Sequence, residues 1–224
     1  MHKIRSAHRR GSDDGLTMTE LLVATVIMMI ASTALLYAFV QGMNASIVSS
    51  SRTADAMTAK TATENATKAL RTARDPDGAD GLKAFELAAP DEVIFYAALN
   101  RGPSDTPARV RIYRDGTELK MNTVEGSTNP ATGTLQWTGA GSTRTIGQDI
   151  VAGSTPVFAY LTKPDPASGQ TEPTQSLLTS GGKIADSALN DIDVIEVSLS
   201  MNSSSRRNTT TTTISRVSLL NKRD

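Results

Sequence analysis

From Leu21 to Ser51 the chain carries no charged side chain, and one carboxylate, Glu20, stands at the head of that run. A helix needs about 20 predominantly apolar residues to cross a hydrocarbon core about 30 Å thick. The run exceeds that length, so it reads as a membrane-spanning helix around which the rest of the fold is built. An ionised side chain near the end of such a helix costs roughly a few kcal/mol, and it snorkels to the interface, finds a cationic partner, or serves a function. A snorkelling acid favoured by the positive end of the helix dipole is the simplest account of Glu20 taken alone.

Charge asymmetry orients the segment. Lys3, Arg5, Arg9 and Arg10 precede the run, and the first basic residue after it is Arg52. The positive-inside rule then puts the N-terminus in the cytoplasm and everything beyond about residue 45 outside. A cleaved secretory signal is the alternative, with a cut near Ala34 in Ala31-Ser32-Thr33-Ala34. Apolar residues continue past that point through Leu35, Leu36, Tyr37, Phe39 and Val40, which favours an anchor.

The residues around Glu20 read Gly15-Leu16-Thr17-Met18-Thr19-Glu20-Leu21-Leu22-Val23-Ala24, behind a basic stub. This resembles the N-terminus of type IV pilins and type II secretion pseudopilins. The resemblance implies a basic leader cut by a prepilin peptidase after Gly15, N-methylation of the new terminal residue Leu16, and Glu20 as the fifth residue of the mature chain. Leu16 stands where that family usually has Phe, and the acids Asp13 and Asp14 directly precede Gly15. The resemblance further implies that Glu20 pairs with the N-terminal amine of a neighbouring subunit. Opposite charges at low dielectric attract far more than in water, so burying both becomes favourable on assembly. The implied partners are other pilin subunits, the peptidase and methyltransferase, and an inner-membrane assembly platform.

Composition excludes several other functions. The chain has no cysteine, which rules out disulfides, thiolate catalysis and cysteine-ligated metal. Its two histidines, His2 and His8, both lie in the stub that processing would remove. The mature chain would then lack an imidazole for acid–base chemistry or zinc. No spacing singles out a Ser-Lys or carboxylate pair, so no catalytic residue is assigned and the chain is expected not to be an enzyme. With 23 basic and 23 acidic residues, no global field argues for nucleic acid.

Beyond the anchor the helix is expected to continue. Residues 44–74 contain no proline, and Ile47, Ala54, Met57, Ala62, Ala66, Ala69, Leu70 and Ala73 recur at roughly helical spacing. Lys68, Arg71 and Arg74 crowd the last turns, before Asp75-Pro76-Asp77-Gly78 ends the pattern. A helix over 17–74 would be about 85 Å long, with a bend expected at Gly42.

After Gly81 short strands follow. Glu92–Leu99 reads as a buried strand and Arg109–Arg114 alternates. Asp115-Gly116 makes a two-residue hairpin and Thr117–Val124 returns. Further strands are expected at Leu135–Thr138, Val157–Leu161 and Gln175–Leu178, and a closing hairpin pairs Asp193–Met201 with Thr210–Leu220 across the turn Asn202–Asn208. The expected fold is α+β, a long helix packed on an antiparallel sheet. Its parts are the leader 1–15, a transmembrane and assembly helix 16–43, an amphipathic continuation 44–75, and a loop-rich extracellular β domain 76–224.

Other candidate sites are less specific. Asp75, Asp77 and Asp80 offer hard oxygen ligands to calcium, although the far-end bidentate acid of an EF-hand is missing and a solvated turn after the helix is the better account of them. Arg109, Arg111 and Arg114, with Tyr113, form a candidate basic stripe for nucleic acid, or else an outward face of a half-exposed strand. Asn44, Asn65, Asn202 and Asn208 open Asn-x-Ser/Thr triplets. The resulting expectation is a single-pass minor pilin or pseudopilin of the cytoplasmic membrane, most like a J-type pseudopilin or a W-type minor pilin. A membrane-anchored binding or adhesion domain and a DNA-uptake competence pilin are the alternatives.

Overall fold

The computed structural model describes residues 17–76, 82–99, 106–151, 155–162, 182–202 and 210–219. The chain divides into two compact units, Met1–Ser49 and Ser50–Asp224. One helix, α1 (Met18–Leu70), begins in the first unit and ends in the second. It runs without interruption through Gly42, where the sequence suggested a bend.

In the first unit the large apolar side chains of α1, from Met18 to Ile47, are exposed. The second unit has the opposite character. Its part of α1 turns Ala59, Ala62, Ala66, Ala69 and Leu70 into a core shared with strands. These positions recur every three or four residues, and their small size lets the helix backbone approach closely. Gly147 marks one such close approach, since a Cβ built there would lie 2.9 Å from the Ala62 Cβ.

The helix ends four residues before Arg74 because the chain turns into sheet-like pairing. Ala73 forms an isolated bridge to Ala97, and the Arg74 N–H donates to the Tyr96 carbonyl at 2.9 Å. The Thr72 hydroxyl caps the Ala69 carbonyl at 2.7 Å.

Among the described residues ten strands follow: β1 (Phe85–Ala89), β2 (Glu92–Ala97), β3 (Ala108–Asp115), β4 (Glu118–Val124), β5 (Ser127–Thr128), β6 (Leu135–Gln136), β7 (Ser142–Gly147), β8 (Phe158–Thr162), β9 (Ile192–Met201) and β10 (Thr211–Ser218). A five-stranded antiparallel sheet has the order β1-β2-β3-β4-β7, a three-stranded sheet β10-β9-β8, and β5 pairs β6 alone. The fold is therefore α+β, as the pattern of a long helix followed by short alternating runs predicts. The β3–β4 hairpin sits one residue later than expected. Asp115 pairs with Glu118, and the loop is Gly116-Thr117, with Gly116 at φ 61° where a II′ turn takes glycine.

β1, β5 and β7 were not foreseen, and the expected strand Leu135–Thr138 shrinks to Leu135–Gln136. The expected strand Gln175–Leu178 lies outside the described residues. So does most of the turn Asn202–Asn208.

One buried cluster joins the helix to both larger sheets, with Val93, Phe95, Val110, Ile112, Leu119 and Met121 from one and Phe158, Tyr160, Ile195, Val197 and Leu199 from the other. Tyr160 fastens the two sheets together: its hydroxyl donates to the Ala89 carbonyl at 2.8 Å, while the Phe158 N–H donates to the Pro90 carbonyl at 2.8 Å. Burial pushes the Tyr160 phenol well above its ordinary pKa, so it stays a donor. On the other face of the five-stranded sheet the only tryptophan, Trp137, packs its ring 4.4 Å from that of Tyr96 and donates to the Pro107 carbonyl at 2.8 Å.

Candidate functional site at the head of the helix

Thr17, Met18, Thr19 and Glu20 have the spacing of a capping box, and the structure forms one. The Glu20 carboxylate accepts from the Thr17 N–H at 3.0 Å and from the Thr17 hydroxyl at 2.9 Å, and the Glu20 N–H donates back to the Thr17 Oγ1 at 3.3 Å. The first intrahelical bond, from the Leu21 N–H to the Thr17 carbonyl, follows at 3.1 Å. The box satisfies donors that every helix start leaves without intrahelical partners. It also gives Glu20 a local partner within its own chain. The sequence reading passed over Thr17, although Thr-x-x-Glu ahead of an apolar run is a legible signal.

Behind Glu20 the apolar side chains have no cover among the described residues. α1 is long and apolar enough to cross a membrane, and none of its most apolar window is buried inside the protein. That separates it from the core helix of a soluble domain, whose apolar face would be covered. Gly15 and Leu16, the residues flanking the expected cut, lie outside the described residues.

The three arginines do not form one stripe. Strand side chains alternate between faces, so Arg109, Arg111 and Tyr113 share one face of β3 while Arg114 falls on the other, with Val110 and Ile112. Each is also matched by an acid. Arg109 forks onto Glu86 at 2.6 and 2.8 Å, Arg111 meets Glu92 at 2.6 Å, and Arg114 meets Asp91 at 2.7 Å. The Arg111 guanidinium also lies 4.2 Å from the centre of the Tyr113 ring. The hydrogen bond from Arg109 holds the Glu86 carboxyl below the usual carboxylate range and, reciprocally, raises Arg109. These counter-ions come from β1, the β1–β2 turn and the first residue of β2, so only the strand register reveals them.

Of the calcium candidates, Asp75 is half-buried beyond the end of α1, while Asp77 and Asp80 lie outside the described residues. Among the described residues no three His, Cys, Asp or Glu side chains gather as a metal site.

No protein-family model matches the chain, and no curated protein matches it.

Proposed function

We propose that the chain is a pilin-like subunit, a minor pilin or pseudopilin, held in the cytoplasmic membrane by the first part of α1 and assembled into a filament through it. The observation that carries this reading is the long helix with an uncovered apolar surface and one carboxylate at its head. In the proposed sequence of events a prepilin peptidase cuts after Gly15 and the Leu16 amine becomes free, to be methylated. Glu20 then exchanges its bonds to Thr17 for the amine of a neighbouring subunit. The N-terminus is cytoplasmic and the sheets lie outside. The chain acts as a substrate of processing enzymes rather than as an enzyme, and the proposal invokes no cofactor.

A plain membrane-anchored extracellular domain is the second reading. The Thr17–Glu20 box favours it, because the carboxylate is satisfied without a neighbour. The matched charges around Arg109, Arg111 and Arg114 weigh against a DNA-uptake role for that face.

Mass spectrometry of the N-terminal peptide, from cells with and without an active prepilin peptidase, separates these readings. A peptidase-dependent start at Leu16, heavier by a methyl group, is the expected result. An intact Met1 in both strains supports the anchored domain, and a start near Thr33–Leu35 makes the segment a secretory signal.

A further inference from the structure

β10 is the outermost strand of its sheet, paired on one side with β9 over eight consecutive residues without a bulge. Among the described residues no strand pairs with its other side. The direction of its backbone groups follows from its neighbours. The Ser198 N–H donates to the Val157 carbonyl and the Ser200 carbonyl accepts from the Val151 N–H, so at both positions β9 turns its groups away from β10. Ser198 and Ser200 stand opposite Ile214 and Thr212. Hydrogen-bonded and non-hydrogen-bonded pairs alternate along an antiparallel ladder. Thr212, Ile214, Arg216 and Ser218 therefore direct their N–H and C=O groups to the outer edge.

Among the described residues this edge lacks the usual protection against pairing. It has no proline, no lysine and no bulge, and its single charge, Arg216, is engaged by Glu196 at 2.8 Å. Its β-branched residues favour an extended partner. At its middle Ile214 is 59% exposed, and with Met57 it is one of two large apolar side chains left exposed among the described residues of the second unit.

We propose that the outer edge of β10 is an interface with β10 of a second copy of this chain, antiparallel about a two-fold axis at Ile214. That register brings the outward residues into hydrogen-bonded pairs, Ile214 with Ile214 and Thr212 with Arg216. The remaining pairs, Thr213 with Ser215 and Thr211 with Val217, are neutral. Centring the axis on Arg216 instead would oppose two arginines, which disfavours that register. The strand is thus compatible with itself in charge, in backbone direction and in its one exposed apolar side chain.

The test uses the full chain in detergent micelles. Native cysteine is absent, so Ile214→Cys places a lone thiol on the proposed axis. Paired Cα atoms there would be about 5.5 Å apart, within disulfide reach. Mild oxidation is expected to link Ile214→Cys into dimers at least severalfold more than Thr145→Cys, an exposed position on the edge strand β7. Equal linking at both positions would mean random encounter and would overturn the proposal, as would no linking at Ile214→Cys. Linking of position 214 to 145 in the double variant would show head-to-tail pairing and overturn the two-fold. In the unmodified protein, amide exchange at Thr212 and Ile214 is expected to slow severalfold as copies per micelle rise; rates independent of occupancy would also overturn it.

Discussion

Glu86 and Arg109 show how one pair of residues sets a local pH response. The hydrogen bond from Arg109 lowers the Glu86 carboxyl, so the pair stabilises the folded state fully above the ordinary glutamate pKa of about 4.3 and loses that contribution as pH falls through the lowered folded value. The Arg109 and Glu86 side chains are 27% and 41% exposed respectively, which limits the contribution to about 1 kcal/mol or less. Urea unfolding of Glu86→Gln is expected to show a small deficit at neutral pH that closes as pH falls below the ordinary glutamate range and through the lowered folded value. Tyr160 makes a larger contribution because its hydroxyl is bonded in the core. Removing it in Tyr160→Phe takes a donor from the part-buried Ala89 carbonyl and should cost about 1–2 kcal/mol, read from the same unfolding curves. At this scale the sequence was partly legible. Parity along β3 already separates Arg114 from Arg109 and Arg111, whereas the identity of their counter-ions depends on a register that brings Glu86, Asp91 and Glu92 alongside from a preceding hairpin.

Elements were legible where burial imposed a period. β3 alternates apolar and charged residues, β9 carries a long β-branched run, and the end of α1 repeats alanine at helical spacing, because in each case one face must meet the core. β7 shows no such period. Its first four residues are exposed, so nothing required them to be apolar, and its place in the sheet comes from pairing with β4. β1 was obscured by a bulge between Phe85 and Leu87, which breaks the alternation. Packing of α1 onto the sheet yields a sharp expectation at Gly147. Gly147→Ala would place a methyl 2.9 Å from the Ala62 Cβ and is expected to destabilise the protein by about 1–3 kcal/mol. Combining it with Ala62→Gly should recover part of the loss, and a double-mutant cycle by thermal unfolding measures that coupling.

For the whole molecule, the decisive property is the contrast between the two units: one leaves its apolar surface uncovered, and the other closes a core of its own. The long apolar helix was legible in the uncharged run behind Glu20, while the bonds that hold Glu20 depend on Thr17, three residues before it. The proposed topology predicts distinct thiol accessibility. In cells lacking prepilin peptidase, a membrane-impermeant thiol reagent is expected to label Thr145→Cys and to leave Arg9→Cys unlabelled until the membrane is permeabilised. Labelling of both, or of neither, would reject the single-pass orientation. The lone Trp137 gives this two-part chain an optical consequence. Its ring lies against Tyr96 and its indole N–H is tied to Pro107. Intrinsic tryptophan emission therefore reports the state of the sheets alone, with no contribution from the uncovered apolar part of α1. The folding of one unit can be followed by fluorescence while detergent or lipid around the other is varied at will.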